Sequence, residues 1–312
     1  MYKGLKKTPT TTMTREEWLE HRRKSIGGSD AAAVVGLNHY ASPYSLWADK
    51  RGLLPEKEDS EPMRLGRDLE DYVAQRFCEA TGKKVRRERN IIVNPDIPFA
   101  HANVDRMIVG EDAGLECKTT SALNTKRFKG GEYPTNYYVQ CVHYMMVTGA
   151  ARWYLAVLVL GVGFYWFCIE RDEAEIEALR LAESEFWGMV ESNTPPPVDG
   201  LTATTEAVSS VLGASTPGDT CDLTAVHKDL DLLFAKKAEL ATVKAEVDEI
   251  ENRVKVYMDS SERGESDRYF VVYAEQSRRT FDTNRFAGDH PEMDLSGYYK
   301  TSNTRVFRAK MR

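Results

Sequence analysis

The stretch GLECKTT, Gly114 to Thr120, sets an acid and an ammonium two residues apart, Glu116 and Lys118, a short way after Asp105 in HANVD. Alternate residues of an extended strand share a face, so Glu116 and Lys118 project together. The Cys117 side chain then turns the other way, into the core, and its backbone carbonyl is left at the sheet edge. Asp105, Glu116 and that carbonyl make a hard-oxygen set of the kind Mg²⁺ takes, since this ion keeps several waters and few protein ligands. A lysine beside it could stabilise a developing hydroxide or the charge on a phosphate under attack. The same spacing is equally at home in a surface cross-strand salt bridge.

Four further residues could join such chemistry. Glu70, in RLGRDLEDYV, could offer a third carboxylate from a helix, or lie on a solvated helix face beside Arg67 and Asp71. Gln140 shares a helical segment with His143 and Tyr144, where polar groups commonly pack or cap. In HRRKSIGGSDAAAVVGLN, Ser29 follows Gly27 and Gly28 ahead of a helical run, and Arg22 lies just upstream. Free N–H groups at a helix start and a guanidinium favour an anion; a serine there also serves as a plain cap.

The elements that must position these residues can be read from periodicity. TREEWLEHRRKS starts a helix at the cap Thr14, and a second helix capped by Ser29 or Asp30 closes at Gly36 or Asn38. MRLGRDLEDYVAQRFCEATG carries Leu65, Leu69, Tyr72, Val73, Arg76, Phe77 and Ala80 at helical spacing and stops at Gly82. VRRERNIIVN, FAHANVDRMIV and GLECKTT read as three strands, YYVQCVHYMMVTG as a helix, and Trp153 to Glu170 as two buried strands around a glycine turn. This order suits an α/β fold, a central mixed sheet flanked by helices, over residues 1–192. Residues 193–219, rich in Pro, Thr, Ser and Gly, read as a linker. In 220–312, Val226, Leu233, Leu240, Val247 and Val254 recur every seven residues, with Leu230, Val243, Ile250 and Tyr257 in the complementary position. A long helix that packs on another helix, in this chain or a copy of it, is expected there, although Lys236 and Lys237 interrupt the seam. Strand-like text after Gly264, DRYFVVYAEQSRRTF and NTRVFRAKMR, completes a small helical and α+β appendage.

Composition narrows the function classes. The 312 residues are 42% hydrophobic and 29% charged, ordinary for a globular chain. No apolar run is long enough to span a membrane, and the N-terminus lacks the apolar core of a secretory signal, so a cytoplasmic protein with no membrane association is expected. The five cysteines, at 78, 117, 141, 168 and 221, include no C-x-x-C pair and read as reduced and buried rather than as a disulfide or zinc framework. A formal net charge of −6 excludes a protein that coats nucleic acid by bulk charge. Any such contact would use local clusters such as His21 to Lys24, or Lys83, Lys84, Arg86, Arg87 and Arg89.

Four of these segments, RRKSIGGSDAAAVVGLN, RLGRDLEDYVAQRF, HANVDRMIVGEDAGLECKTT and YYVQCVHYMMVTGA, resemble in their order the phage-type YqaJ viral recombinase family. These are relatives of the lambda exonuclease within the PD-(D/E)xK nuclease superfamily, and the likeness covers about residues 14 to 192. It implies a restriction-endonuclease-like core and a Mg²⁺-dependent DNA nuclease, with Mn²⁺ able to substitute. The best-known members are processive 5′-to-3′ exonucleases on double-stranded DNA that prepare single strands for phage recombination in the host cytoplasm. An endonuclease of the same fold, or a non-catalytic DNA-binding or assembly module, is the alternative. Asp105 and Glu116 match the metal-binding carboxylates, Lys118 the lysine, Glu70 the helical glutamate and Gln140 the glutamine of the next helix, with Tyr137 one turn earlier on the same face. The Cys117 carbonyl completes the implied metal set. Arg22 and Ser29 match the pair that holds a 5′-terminal phosphate. Relatives form homo-oligomeric rings around DNA and work beside a single-strand annealing protein. Arg106 stands where many relatives carry glycine, and is expected to tighten the turn after Asp105.

Overall fold

The structure, a computed structural model, describes residues 2–56, 59–300 and 305–310. In chain order the first unit runs β1 (Lys6–Pro9), α1 (Arg15–Arg23), β2 (Ile26–Gly27), α2 (Gly28–Val34), α3 (Pro43–Lys50), α4 (Glu61–Thr81), β3 (Val85–Arg87) and β4 (Asn90–Val93). It continues with β5 (Ala100–Asn103), β6 (Arg106–Ile108), β7 (Ala113–Thr120), α5 (Thr135–Thr148), β8 (Arg152–Val159), β9 (Gly163–Glu170), α6 (Glu173–Glu191) and α7 (Thr202–Leu212). This unit ends at Gly213 and a second begins at Ala214.

The site rests on a five-stranded mixed sheet, ordered β3-β6-β7-β8-β9, in which only β7 and β8 are parallel. Two parallel neighbours need a crossover, and α5 supplies it. Odd positions of β7, Ala113 and Leu115, pack with Tyr154 and Ala156 of β8 against Val73, Ala74 and Phe77 of α4. Even positions therefore face α5, as strand alternation requires. There Gly114 is needed for space: a Cβ on it would lie 2.2 Å from the ring of the buried Trp153. The larger core, around Trp153, Leu155, Val157, Met145 and Val147, fills the layer between this face and α5.

A second sheet, β1-β4-β5-β2, is interleaved in sequence with the first. VRRERNIIVN, expected as one strand, breaks after Arg87 into β3 and β4, and these belong to different sheets. FAHANVDRMIV likewise splits into β5 and β6. Its alternation continues through the break, which is why the sequence reads as one strand, but the chain leaves one sheet and enters the other at Val104 and Asp105. Asp105 is thus a junction residue rather than a strand residue.

Other expectations are met or adjusted by local packing. Thr14 caps α1 in a reciprocal box with Glu17. Helix α4 ends at Gly82 in the left-handed region, φ 71°, but only Val73, Ala74 and Phe77 are buried along it, while Tyr72 and Ala80 face outward. The residues read as linker include α7, whose Thr204 and Ala207 are buried; Thr204 Oγ1 donates to Ser42 Oγ at 2.6 Å, tying it to the start of α3. Of the cysteines only Cys141 is buried; Cys78 and Cys117 are half-buried and Cys168 and Cys221 exposed, and all five are free. No helix among the described residues is long and apolar enough to cross a membrane.

The second unit consists of the expected long helix, α8 (His227–Met258), a hairpin of β10 (Arg263–Glu265) with β11 (Phe270–Val272), and a short α9 (Thr283–Asp289). Of the strand expected over 303–312, residues 303, 304, 311 and 312 lie outside the described residues, and Arg305 to Lys310 adopt no regular element.

Candidate active site

β7 carries Glu116 and Lys118 on its α5-facing side, and the lysine Nζ lies 2.6 Å from Glu116 Oε1. The Cys117 side chain packs on the opposite, α4 side, as expected. β6 pairs with β7 only as far as Leu115 opposite Arg106. Beyond that point the β7 edge is open, and the Cys117 N–H donates to Asp105 Oδ2 at 2.8 Å. The N–H and C=O of one strand residue point to the same side, so the Cys117 carbonyl also faces this opened edge. The switch between sheets at Asp105 therefore brings its carboxylate to the gap where β6 has stopped.

α5 supplies the next layer. Gln140 Nε2 donates to Glu116 Oε1 at 2.7 Å and to the Tyr144 hydroxyl at 2.8 Å, and that hydroxyl donates to the Asn103 carbonyl at 2.9 Å. Tyr137, one turn before Gln140, places its ring 5.3 Å from the Lys118 ammonium, a cation–π contact. Glu116 is only 3% exposed, and its second oxygen, Oε2, finds no hydrogen-bond partner among the described residues. Burial, with the charges of Glu116 and Glu70, pushes the Asp105 carboxyl well above the usual carboxylate range. Burial would lower the Lys118 ammonium, but Glu116 and Asp105 outweigh it and hold the lysine protonated, above its ordinary value.

This arrangement has more acid than base: the buried Glu116 and the half-buried Asp105 share one ammonium, and one carboxylate oxygen is orphaned. Such a site is costly unless a further positive charge joins it. The donors at this edge, Asp105, Glu116 Oε2 and the Cys117 carbonyl, are the hard oxygens a small divalent cation takes. The residues therefore fit a metal with two side-chain ligands. They do not yet gather a third: among the described residues no group of three Asp, Glu, His or Cys side chains is close enough to hold an ion. Glu70 is the one diverted. Its Oε1 accepts from Arg106 Nη1 at 2.5 Å, while Arg106 Nη2 bonds Asp71 Oδ1 at 2.5 Å. Arg106 does not merely tighten a turn. Its side chain is 4% exposed and lies between two acids of α4. Glu70 and Asp105 still line one cleft of about 260 Å³, together with Trp18, Asn103 and Arg106.

The Arg22 and Ser29 pair is joined as the sequence suggests, with Arg22 Nη2 donating to Ser29 Oγ at 2.7 Å. Ser29 is not the cap, however. Gly27 occupies the cap position of α2, and Asp30 reaches back to accept from the Gly27 N–H at 3.0 Å. Asp30 also takes Lys50 Nζ at 2.7 Å and Arg22 Nη2 at 3.3 Å, and Lys50 Nζ donates to the Arg22 carbonyl at 2.7 Å. Burial would raise the Asp30 carboxyl, but Lys50 and Arg22 reverse this and hold it well below the carboxylate range. The Arg22 guanidinium stacks 4.9 Å from the Trp18 ring, and Trp18 lines the same cleft as Asp105 and Glu70. Beneath, Gly28 meets Tyr144 so closely that a Cβ would lie 2.5 Å from the ring. Tyr144 thereby links α2 to the Gln140–Glu116 contact.

Lys50 and Trp18 escaped the sequence reading, and Asp30 and Arg106 were read only as a cap and as a turn residue. Lys50 ends an ordinary amphipathic helix and Asp30 reads as a cap, so nothing in their local patterns announces a buried ion pair. The basic run near β3 is largely neutralised: Lys83 pairs with Glu111, Arg86 with Glu88 and Arg87 with Asp71. A buried pair also lies under α2, where His143 Nδ1 is 2.7 Å from Glu183 Oε1.

The core sheet with its α4 and α5 layers, and acids and a lysine at the opened β7 edge, is a restriction-endonuclease-like fold. An alkaline exonuclease (LHK-Exo) from Laribacter hongkongensis shares it, with a TM-score of 0.51 at 23% identity over 57% of this chain and 94% of that one. A phage-related exonuclease from Haemophilus somnus 129PT is a looser likeness, with a TM-score of 0.41 at 10% identity over 54% of this chain and 96% of that one. The YqaJ-like viral recombinase domain matches residues 17–151, which contain every candidate site residue. The uncharacterized protein YqaJ of Bacillus subtilis (strain 168) is 38% identical over 95% of this chain and 93% of its own length. The chain belongs to the YqaJ-like viral recombinase family.

Proposed function

We propose that this protein is a metal-dependent DNA nuclease that degrades double-stranded DNA from 5′ ends, with Mg²⁺ or Mn²⁺ as cofactor. The observation that carries the reading is Glu116, a buried carboxylate with one oxygen unpartnered, beside Asp105 and Lys118 at an opened strand edge. Family membership and the fold shared with an alkaline exonuclease support DNA as substrate and an end-directed mode.

Asp105, Glu116 and the Cys117 carbonyl would hold the cation, with Glu70 on the same cleft as a further carboxylate. A divalent ion there lowers the pKa of a bound water and offsets charge on the phosphate under attack. Lys118, kept protonated by Glu116, orients the nucleophile and meets the developing negative charge. Gln140 fixes the rotamer of Glu116 by its 2.7 Å donation, and Tyr137 of α5 packs its ring over the lysine ammonium. Arg22 and Ser29 would seat a terminal phosphate, since a guanidinium and a hydroxyl are already joined there and Asp30 is overcompensated by two cations.

Digestion of labelled linear duplexes bearing a 5′-phosphate or a 5′-hydroxyl, beside a covalently closed circle, tests this directly. The expected outcome is cation-dependent loss of label from linear ends, faster with 5′-phosphate, and an intact circle. Cutting of the circle would instead assign an endonuclease, and no cleavage with either cation would leave a binding module.

A further inference from the structure

α8 exposes a seam that nothing else described in its own unit covers. Leu240, Val243, Val247, Ile250, Val254 and Tyr257 lie on it with exposures between 40% and 91%. A row of this length on one helix is a surface that soluble chains normally bury against a partner. The spacing is that of a coiled coil, with Leu233, Leu240, Val247 and Val254 at one seam position and Lys236, Val243, Ile250 and Tyr257 at the other.

We infer that this seam pairs with α8 of a second copy of the chain in an antiparallel coil centred on Ala245. Lys236 decides the direction. In a parallel pair the two Lys236 ammonium groups would meet each other inside the seam; in the antiparallel register each faces Val254 of the other copy. Leu233 then layers with Tyr257, Leu240 with Ile250 and Val243 with Val247, over about 36 Å of helix at ~1.5 Å per residue.

The flanking charges agree. The antiparallel register sets Lys237 against Glu251 and Glu239 against Arg253, each contact occurring twice by symmetry. Its like-charge contacts are confined to the axis, Lys244 on Lys244 and Glu246 on Glu246. The parallel register keeps Glu239 against Lys244 but twice opposes Glu246 to Glu251. Within one helix Glu251 already bonds Lys255 at 3.1 Å and Arg253 bonds Glu249 at 2.5 Å, so both are held near the flanks where a partner would meet them.

Sedimentation equilibrium of the full chain at micromolar concentration reads the prediction. Leu240→Asp with Val247→Asp, both solvent-exposed positions, should halve the mass of the wild-type species. Glu251→Lys and Lys237→Glu should each weaken self-association about fivefold, since each turns two attractive contacts repulsive. An equimolar mixture of those two variants should recover wild-type affinity, because both contacts between positions 237 and 251 are again between opposite charges. Three results would overturn the inference: a mass insensitive to the aspartate pair, a tighter assembly of Glu251→Lys as a parallel coil requires, or a mixture no stronger than its components.

Discussion

The two ends of the candidate site are built with opposite charge balance. At the β7 edge, two carboxylates, the half-buried Asp105 and the buried Glu116, share the single ammonium of Lys118. At α2, one half-buried carboxylate, Asp30, is shared by Lys50 and Arg22. The first is short of a cation and the second short of an anion. Both border on one cleft through Asp105 and the Trp18 ring under Arg22, and both lean on Tyr144, which bonds Gln140 on one side and meets Gly28 on the other. A phosphodiester end carrying a terminal phosphate, with a metal at the bond to be cut, answers both deficits at once. Neither cluster taken alone would suggest a substrate with a charge at each place.

Lys118→Ala should break the comparison at its acidic end. Cleavage of end-labelled duplex should fall by about a thousandfold, the scale of losing a preorganised charge at the reacting oxygen. Retention of the labelled duplex on native gels should persist, since Arg22 and Ser29 are untouched. Lys50→Met tests the other end through stability. Removing Lys50 leaves Asp30 with Arg22 as its cationic partner, so the loss should be about 1.5–3 kcal/mol, the scale of a hydrogen bond to a charged group, read as a lower midpoint in urea denaturation. Adding Asp30→Asn should return part of that loss, because the carboxylate that Lys50 neutralised is then gone.

Gln140→Leu sharpens the link between the two ends. The substitution strips Glu116 of its donor, and metal affinity should drop roughly tenfold, as outer-shell changes around metal ligands commonly do. The smallest effect concerns His101, which lies beneath α2 with its Nδ1 2.8 Å from the Ser25 hydroxyl. Burial lowers its pKa from the ordinary 6.5 to about 3, with Lys50 and Arg22 adding to the shift and Asp30 opposing it. The folded state therefore resists a proton that the unfolded chain accepts below 6.5, so stability is present above that value and is lost as pH falls toward 3. His101→Gln should flatten the decline of stability between pH 6.5 and 4 relative to wild type, followed by urea titrations at each pH.

How much of this was legible beforehand follows from which interactions are local. The Glu116 and Lys118 pair could be read because strand alternation alone puts two residues on one face; Gln140 came from the family resemblance, and helical spacing then set Tyr137 on its face. The strand of Asp105 could not be read, since HANVDRMI alternates without interruption while the chain crosses from one sheet to the other. The crossing is fixed by which strands find partners, a tertiary matter. Lys50 was invisible, and Arg106 was read only as a turn residue, for a related reason: a basic residue in a polar stretch does not announce a partner until the fold places Asp30 or Glu70 against it. The Thr202–Leu212 helix was masked by a composition of Thr, Ser and Ala, which resembles a linker until Ala207 and Thr204 meet α3.

Calorimetric titration of Mg²⁺ and Mn²⁺ into the wild-type chain and into Glu116→Gln measures whether a cation joins Asp105 and Glu116. Saturable binding by the wild type, at least tenfold weaker in the variant, is the predicted result. Absence of binding to the wild type, or equal binding by both, would contradict it.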